Sequence, residues 1–291
     1  MSDYKTFLSR KYKSKTTLNY LNNLLLFNRW KNDQHLKDQQ IKPKHIIHYL
    51  DYCRSLGNSD STVNIKLKSI NMYFRFLQYE NRLEINPSEF IETNKKPRNQ
   101  LKDILTDQEL DHLYKHFKSS KRNRIILSLM IHQGLSVKDF DQLDVADLDL
   151  INAKIKFKGH SCSKERELEL KPFQIIELHD YITISREQIL MKRNKEYGSK
   201  NTDRLIISTK VGQDFKHIGD YVILELRKQF SFFKSFGQIR KSVISIWVGQ
   251  FNLRQVQYMS GYKYVSSVEK FKVNHIEDLS EQVDKFHPMD V

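Results

Sequence analysis

The chain has 291 residues, enough for two domains of ordinary size, and its hydrophobic content of 39% excludes a globally disordered protein. Only nine glycines and five prolines are present, which excludes a turn-rich all-β protein and favours a mainly helical one. The net charge of +14 predicts a polyanionic partner, most simply nucleic acid, although a lysine-rich surface without such a partner is the alternative.

Residues 1–100 contain 18 lysines and arginines but only 9 aspartates and glutamates, so the positive charge is concentrated there. Three helical stretches are predicted in the first ninety residues. Apolar side chains at helical spacing, such as Leu18 and Leu25 in the first stretch, predict helices over residues 14–30, 44–56 and 61–78. Pro43 suits the start of the second helix, and Gly57 suits the position just past its end. A compact bundle of about four helices is the expected packing.

A polar, basic segment with a proline follows, and it predicts an interdomain linker over residues 92–103. The predicted domains are therefore residues 1–91 and 104–291. Lys95, Lys96 and Arg98 in the linker are candidate phosphate contacts, and a merely solvated connection is the open alternative.

The second domain opens with a capping box, in which Thr106 caps a helix and Glu109 reaches back. Alternating residues predict two strands over 153–158 and 167–170, joined by a hairpin loop over 159–164. Further predicted elements are a helix to 117, a helix over 121–133, a long helix over 172–195, a short strand over 205–208, and helix from 215 to 286 broken at 236–237, 252 and 261.

Cysteine and histidine usage indicates neither a disulfide framework nor a metal site. Cys53 and Cys162 lie far apart without CxxC spacing, which fits a reducing cytoplasmic compartment. The eleven histidines form no HExxH motif, so no metal and no cofactor are expected. The sequence has neither a run of about 18 apolar residues nor the apolar core of a signal peptide, so no membrane partner is expected.

The C-terminal third carries the most specific pattern. Arg240 lies in Gly237-Gln238-Ile239-Arg240-Lys241, Gly261-Tyr262 follows, and Phe271 stands nine residues after Tyr262. This pattern resembles the last catalytic segment of the tyrosine recombinase (phage integrase) family, which reads roughly H-x-L-R-H, then L-G-H, then a tyrosine nine residues after the last histidine. Residues 133–149 resemble the family's T-G-L-R-x-S-E-L box, and residues 274–288 resemble tails of a subgroup of recombinase-like proteins.

The resemblance covers nearly the whole chain and implies a fold. That fold is a mainly α protein with an N-terminal SAM-like core-binding domain and a C-terminal domain of the recombinase catalytic type, helical with a small β-hairpin. In the family, tyrosine attacks the scissile phosphate, two arginines neutralise its oxygens, a hairpin lysine protonates the leaving oxygen, and two histidine-like positions assist. Arg240 matches the family's second arginine, and Lys164 matches the hairpin lysine. Four matched positions carry other residues than the family has: Ser136 at the first arginine, Gly237 and Tyr262 at the two histidines, and Phe271 at the tyrosine.

The altered positions predict weak or absent cleavage. Phe271 has no oxygen to attack phosphate, so its ring is expected to pack the last helix into the core. Ser136 supplies neither the charge nor the fork of an arginine, and Gly237 offers no side chain. Losing one preorganised donor costs roughly 10²–10³ in rate, and losing the nucleophile is commonly close to total.

Substitute groups stand near these positions. Lys138 could partly replace the first arginine as a point charge, Lys241 stands at a neighbouring histidine position, and Arg166 would compete with Lys164 for the same phosphate. Tyr258, Tyr262 and Tyr264 are nearby tyrosines. On a continuous helix Tyr264 would lie about 10 Å from Phe271, too far to act without rearrangement. A tyrosine supplied by a partner is a further possibility.

DNA binding needs none of the cleavage chemistry, because basic side chains neutralise phosphates. The candidate DNA-binding residues are Lys44, Lys66, Lys68, Arg75 and Arg254, beside the three of the linker, and a solvated basic face is the alternative for each.

Three functions remain open on the sequence. The leading hypothesis is a double-stranded-DNA-binding pseudoenzyme of recombination and integration with weak or no cleavage. It would act beside an active recombinase in a mobile element, as an architectural factor, or with itself as an oligomer. The second is an active recombinase that uses Tyr262 or Tyr264. The third is a helical protein–protein adaptor whose positive charge is incidental, which salt-insensitive duplex binding would favour.

Overall fold

The structure, a computed structural model, describes residues 2–92, 103–198, 202–210 and 214–272. The chain divides into two compact units, Met1–Arg98 and Asn99–Val291. Helices predominate, and the second unit adds one three-stranded sheet, so the predicted mainly α fold class is confirmed. The predicted linker, with Lys95, Lys96 and Arg98, lies almost wholly outside the described residues, and its proposed DNA contacts stay predictions.

The first unit is a helical bundle. Its helices are α1 (Ser2–Lys11), α2 (Ser14–Asp33), α3 (Pro43–Ser55) and α4 (Asp60–Tyr79), with a short 3₁₀ turn at Asp38–Gln40. The three predicted helices are confirmed to within a turn. Pro43 is the first residue of α3, and Gly57 follows its end with a φ of +79°, as the sequence indicated.

Aromatic rings fill the core of this bundle, and they correct one detail of the sequence interpretation. Phe27 of α2 lies against Tyr49 of α3 in an edge-to-face contact, with ring centroids 5.0 Å apart. Because Phe27 is fully buried, the residues on the opposite side of α2 face outward. Leu18 and Leu25, which the sequence predicted on the apolar face, are therefore exposed.

The second unit surrounds a central helix. Its helices are α5 (Asp107–His116), α6 (Lys121–Gln133), α7 (Val137–Phe140), α8 (Pro172–Asp180), α9 (Glu187–Tyr197), α10 (Phe215–Gln229), α11 (Phe236–Gln250) and α12 (Leu253–Ser260), and residues 266–272 are also helical. Helix α6 is buried on nearly all sides because α5, α8 and α11 pack around it. The predicted capping box holds, since the Glu109 amide donates to Thr106 Oγ1 at 3.2 Å.

The sheet has the order β1 (Leu148–Asp149), β2 (Lys154–Phe157), β3 (Arg166–Glu169), with both pairs antiparallel. The predicted hairpin is thus confirmed. Strand β1 was not predicted, because two residues are too few to show an alternation of apolar and polar side chains. The predicted strand over 205–208 is wrong. That segment is buried without sheet pairing, and its backbone bonds the Leu143 carbonyl and the Tyr181 hydroxyl instead.

Two predicted helix boundaries also need correction. The long helix predicted over 172–195 is interrupted by a π-helical turn at Tyr181–Arg186, which separates α8 from α9. The break expected at 236–237 comes earlier, because Ser235 caps α11 by accepting from the Gln238 amide at 3.3 Å. The breaks at Asn252 and Gly261 are confirmed as the cap and the end of α12.

Candidate functional site

Arg240 lies in the second turn of α11, and its guanidinium joins the ends of two other helices. It donates one hydrogen bond to the carbonyl of Gly134, which ends α6, and another to the carbonyl of Ser260, which ends α12. The C-terminal end of a helix carries partial negative charge, so a cation placed there is stabilised. The position matched to the family's second arginine is therefore held half-buried by main-chain carbonyls.

Tyr262 follows immediately after α12 and packs beside this arginine. The Arg240 Cζ atom lies 5.3 Å from the centroid of the Tyr262 ring, and the Lys270 Nζ atom lies 5.7 Å from the same centroid. The ring is half-buried against the core, as the packing role expected for it requires. Two cations thus share one aromatic ring.

The hairpin loop between β2 and β3 is fixed against the end of α12. The Lys164 amide donates to the Gly261 carbonyl at 2.8 Å, and Ser163 forms an isolated β-bridge with Tyr262. The Lys164 side chain is exposed. Lys164, Arg240 and Tyr262, which lie as much as 98 positions apart in sequence, therefore meet around one turn of backbone.

Beneath the hairpin lies a buried ion pair. Arg166 Nη1 donates to Asp139 Oδ1 at 3.2 Å and to Ser163 Oγ at 3.0 Å, and its guanidinium lies 4.6 Å from the Phe157 ring centroid. Because Arg166 is only 2% exposed, it cannot compete with Lys164 for a phosphate on the surface, and that expectation is wrong.

Ser136, at the position matched to the family's first arginine, belongs to this cluster. Its amide and its hydroxyl both donate to Asp139 Oδ2 at 2.7 Å, which makes a capping box at the start of α7. Burial alone would raise the pKa of Asp139, but Arg166 and these two bonds outweigh it and hold the pKa below its usual value. The serine hydroxyl is thus occupied inside the protein.

His160 of the hairpin loop faces the same carboxylate. Its Nε2 atom lies 3.5 Å from Asp139 Oδ1 without a hydrogen bond, and Arg166 Nε and Nη2 are likewise buried without partners among the described residues. Burial lowers the pKa of His160, Asp139 opposes that shift, and Lys138 and Arg166 add to it. Burial therefore favours the neutral imidazole in the folded protein.

The nucleophile position is filled by packing. Phe271 is 1% exposed and lies within the core of the second unit, which confirms the packing role expected for its ring. Gly237, at the first histidine position, is exposed, and a Cβ atom there would meet only Ser235 Oγ at 3.6 Å. The absence of a side chain at 237 therefore does not arise from crowding.

Of the tyrosines near position 271, Tyr258 has a bonded hydroxyl and Tyr264 is exposed to solvent. The Tyr258 hydroxyl is bonded to the Glu167 backbone, donating to its carbonyl at 3.2 Å and accepting from its amide at 3.1 Å. Tyr264 is 70% exposed, and it precedes the helical residues 266–272 instead of sharing their helix. The continuous helix assumed for the 10 Å separation of Tyr264 and Phe271 is thus wrong.

The remaining candidate DNA contacts divide by burial. The side chains of Lys44, Lys68, Arg75 and Arg254 are exposed. Lys66 is only 7% exposed, and its ammonium lies 3.5 Å from Cys53 Sγ inside the bundle, so it is withdrawn as a surface contact. Lys138 is exposed, with its ammonium 3.6 Å from Cys162 Sγ.

Sequence reasoning missed two parts of the site. Asp139 could have been found, because Ser136 and Asp139 have the spacing of a capping box. Lys270 carries no sequence signal beyond standing next to Phe271.

Among the described residues, no group of three or more His, Cys, Asp or Glu side chains could hold a metal ion, and none of their helices is both long enough and apolar enough to cross a membrane.

Comparisons with known proteins agree on one family. Residues 2–81 match the model of the phage integrase N-terminal SAM-like domain. The chain is 32% identical to tyrosine recombinase XerD of Oceanobacillus iheyensis over 56% of this chain and 58% of that protein. It is 27% identical to tyrosine recombinase XerC of Natranaerobius thermophilus over 86% of this chain and 84% of that protein.

Solved structures extend the likeness to the fold of the chain. A lambda integrase dimer bound to a COC′ core site aligns with a TM-score of 0.68 at 19% identity, covering 94% of this chain and 76% of that one. At this identity the likeness concerns the fold alone.

Proposed function

This chain belongs to the tyrosine recombinase (phage integrase) family, and we propose that it serves site-specific recombination as a DNA-binding subunit that does not cut DNA itself. The proposal rests on one observation, the identity and burial of the residue at position 271. The tyrosine of the family must present an ionisable oxygen to the phosphate. Here a phenylalanine stands at that position, buried to 1% exposure within the core.

The electrostatic part of the cleavage site is reduced as well. The serine at position 136 gives its hydroxyl to Asp139, so the charge of the first arginine has no replacement there. Arg240 retains its charge, but two of its N–H groups are committed to the carbonyls of Gly134 and Ser260. Such a site attracts a phosphate without stabilising the charge that develops during cleavage.

DNA binding is supported by what remains. The net charge of +14 and the exposed side chains of Lys44, Lys68, Arg75 and Arg254 suit a phosphate backbone, and Lys164 and Arg240 add positive charge at the site. The lambda integrase of similar fold was solved on a DNA core site as a dimer. We propose by analogy that this chain binds duplex DNA either with an active recombinase or with itself.

A suicide-substrate assay tests the proposal, because a nicked duplex traps any covalent protein–DNA intermediate. We expect salt-sensitive binding of the duplex and no adduct by mass spectrometry, while an active family member incubated with its own site gives one. An adduct on this chain refutes the loss of cleavage. Binding that does not weaken with salt refutes phosphate-driven recognition and favours the adaptor function.

Tyr262 supports a second candidate, an active recombinase with a displaced nucleophile. Its ring centroid lies 5.3 Å from Arg240 Cζ, whereas the Tyr258 hydroxyl is bonded to the Glu167 backbone and Tyr264 is 70% exposed. If an adduct forms, the change Tyr262→Phe should abolish it. Persistence of the adduct in Tyr262→Phe and Tyr264→Phe together would exclude both tyrosines.

A further inference from the structure

Lys270 directly precedes the buried Phe271, and two aromatic rings hold its ammonium. The Nζ atom lies 5.4 Å from the centroid of the Phe271 ring and 5.7 Å from that of Tyr262. The lysine is exposed while Phe271 is fully buried, so the charge lies on the surface directly outside the position of the missing nucleophile.

A second cation approaches the same ring. Arg240 Cζ lies 5.3 Å from the Tyr262 centroid, so two like charges contact one ring, at most about 11 Å apart, and repel. The negative face of the ring offsets that repulsion only in part. In the described part of the chain neither cation forms an ion pair with a carboxylate. An anion bound close to both cations would relieve the repulsion and gain from both charges.

The hairpin supplies a third cation. Lys164 is exposed, and its amide is bonded to the Gly261 carbonyl at 2.8 Å, one residue before Tyr262. The loop after β2, helix α11 and residues 266–272 therefore each bring one cation toward the turn at 261–262. Asp139, the carboxylate beneath the hairpin, is buried and already paired with Arg166.

We propose that Lys270 binds a backbone phosphate of duplex DNA, together with Arg240, at the place where other members of the family bind phosphate covalently. The bond is an ion pair between the ammonium and a non-bridging oxygen, so no group is transferred. The inference rests on the proposed DNA-binding function, and it adds a contact that the family pattern does not assign.

The salt dependence of duplex binding tests this contact. The affinity of wild type, Lys270→Gln, Lys270→Arg and Lys272→Gln for a mixed-sequence linear duplex is measured across a salt series. Lys272 is an exposed lysine of the same helical segment, about 200° around the helix from Lys270, so it controls for the loss of one charge.

For Lys270→Gln we expect a plot of log affinity against log salt that is shallower by about one, with a similar loss of affinity on every sequence. Lys270→Arg and Lys272→Gln should keep the wild-type slope. Equal slopes in Lys270→Gln and Lys272→Gln overturn the inference while leaving DNA binding intact. A wild-type protein whose binding ignores salt overturns the proposed function, and this inference with it.

Discussion

The Arg240 guanidinium donates a hydrogen bond to the Ser260 carbonyl, with nitrogen and oxygen 2.6 Å apart. Since the same side chain also bonds the carbonyl that ends α6, one arginine joins two helix ends whose partial charges are negative. The next carbonyl along, that of Gly261, receives the amide of Lys164 from the hairpin. The segment at 260–262 therefore fixes the positions of the arginine and the hairpin together.

Replacing Arg240 by alanine should destabilise the second unit. Two charge-assisted hydrogen bonds to carbonyls are lost, and we expect the free energy of unfolding to fall by about 3 kcal/mol. Arg240→Lys should recover only part of this loss, because one ammonium cannot replace a fork that bonds two separate carbonyls. Denaturant unfolding measures the difference.

The neighbouring Lys241 provides the matched control. It is exposed on the same helix, so Lys241→Ala removes an equal charge and should change the unfolding free energy by less than about 0.5 kcal/mol. If Arg240→Ala proves as mild as this control, the guanidinium does not hold the helix ends together.

Gly261 is required by space as well as by backbone conformation. Its φ is +72°, and a Cβ atom there would lie 2.3 Å from Ser163 Oγ and 2.6 Å from Arg166 Nη1. Gly261→Ala must therefore displace the hairpin or the buried arginine. We expect a loss of about 3 kcal/mol, which combines left-handed strain with overpacking.

Gly198 separates the two contributions. Its φ is +58°, but a Cβ atom there would meet no described residue within 4 Å. Gly198→Ala should cost only the strain, about 1 kcal/mol. Equal losses at 198 and 261 in denaturant unfolding would show that crowding by the hairpin contributes nothing.

The contrast between these glycines illustrates what the sequence can reveal. Both Gly57 and Gly261 follow helices and were predicted as stops from sequence alone, because a helix end favours a residue that tolerates positive φ. The contact of Gly261 with Ser163 and Arg166 joins segments about 100 positions apart, and no local pattern encodes it.

In the functional site, too, the sequence predicts local features but not those that depend on packing between distant segments. Local spacing predicted Arg240 on a helix, Lys164 in the hairpin loop and Phe271 in the last helix, and the structure has them in those elements. It could not show that Arg166 is buried while Lys164, two residues earlier, is exposed, because burial depends on how the hairpin packs. Likewise the segment 205–208 has the composition of a strand but pairs with no strand in the part of the chain that the structure describes.

The buried pair of Asp139 and Arg166 should be sensitive to removal of one partner. Asp139→Asn keeps the shape but leaves the buried guanidinium without a counter-charge, and we expect a loss of about 3–5 kcal/mol. The pKa of Asp139 lies below its usual value, so its contribution is fully present above about pH 4 and disappears as the pH falls through the folded-state pKa.

His160 should produce a separate dependence at milder pH. Burial lowers its pKa in the folded protein, so the unfolded chain binds a proton first as the pH falls below about 6.5. The free energy of unfolding should therefore decline as the pH falls below about 6.5, and this decline should be smaller in His160→Gln. Unfolding at a series of pH values measures it, and identical profiles would contradict the burial of a neutral imidazole.

Lys66 and Lys68 of α4 form a second matched pair, now for DNA binding. Lys68 is exposed, so Lys68→Gln should make the salt dependence of duplex binding shallower by about one if it contacts a phosphate. Lys66 is buried against Cys53, so Lys66→Gln should leave that slope unchanged and alter only stability. A slope that changes for Lys66 but not for Lys68 would contradict the assignment by burial.

Restoring the family's nucleophile should not restore cleavage. Phe271→Tyr adds a hydroxyl to a ring that is 1% exposed, and Ser136 still supplies no charge at the first arginine position. In the suicide-substrate assay we expect no covalent adduct from Phe271→Tyr, nor from the double variant Phe271→Tyr with Ser136→Arg. Because the Phe271 ring packs the core, Phe271→Ala, which leaves a cavity, should lower the free energy of unfolding by about 3–5 kcal/mol. An adduct formed by Phe271→Tyr alone would show that position 271 reaches the phosphate, which the burial of the ring argues against.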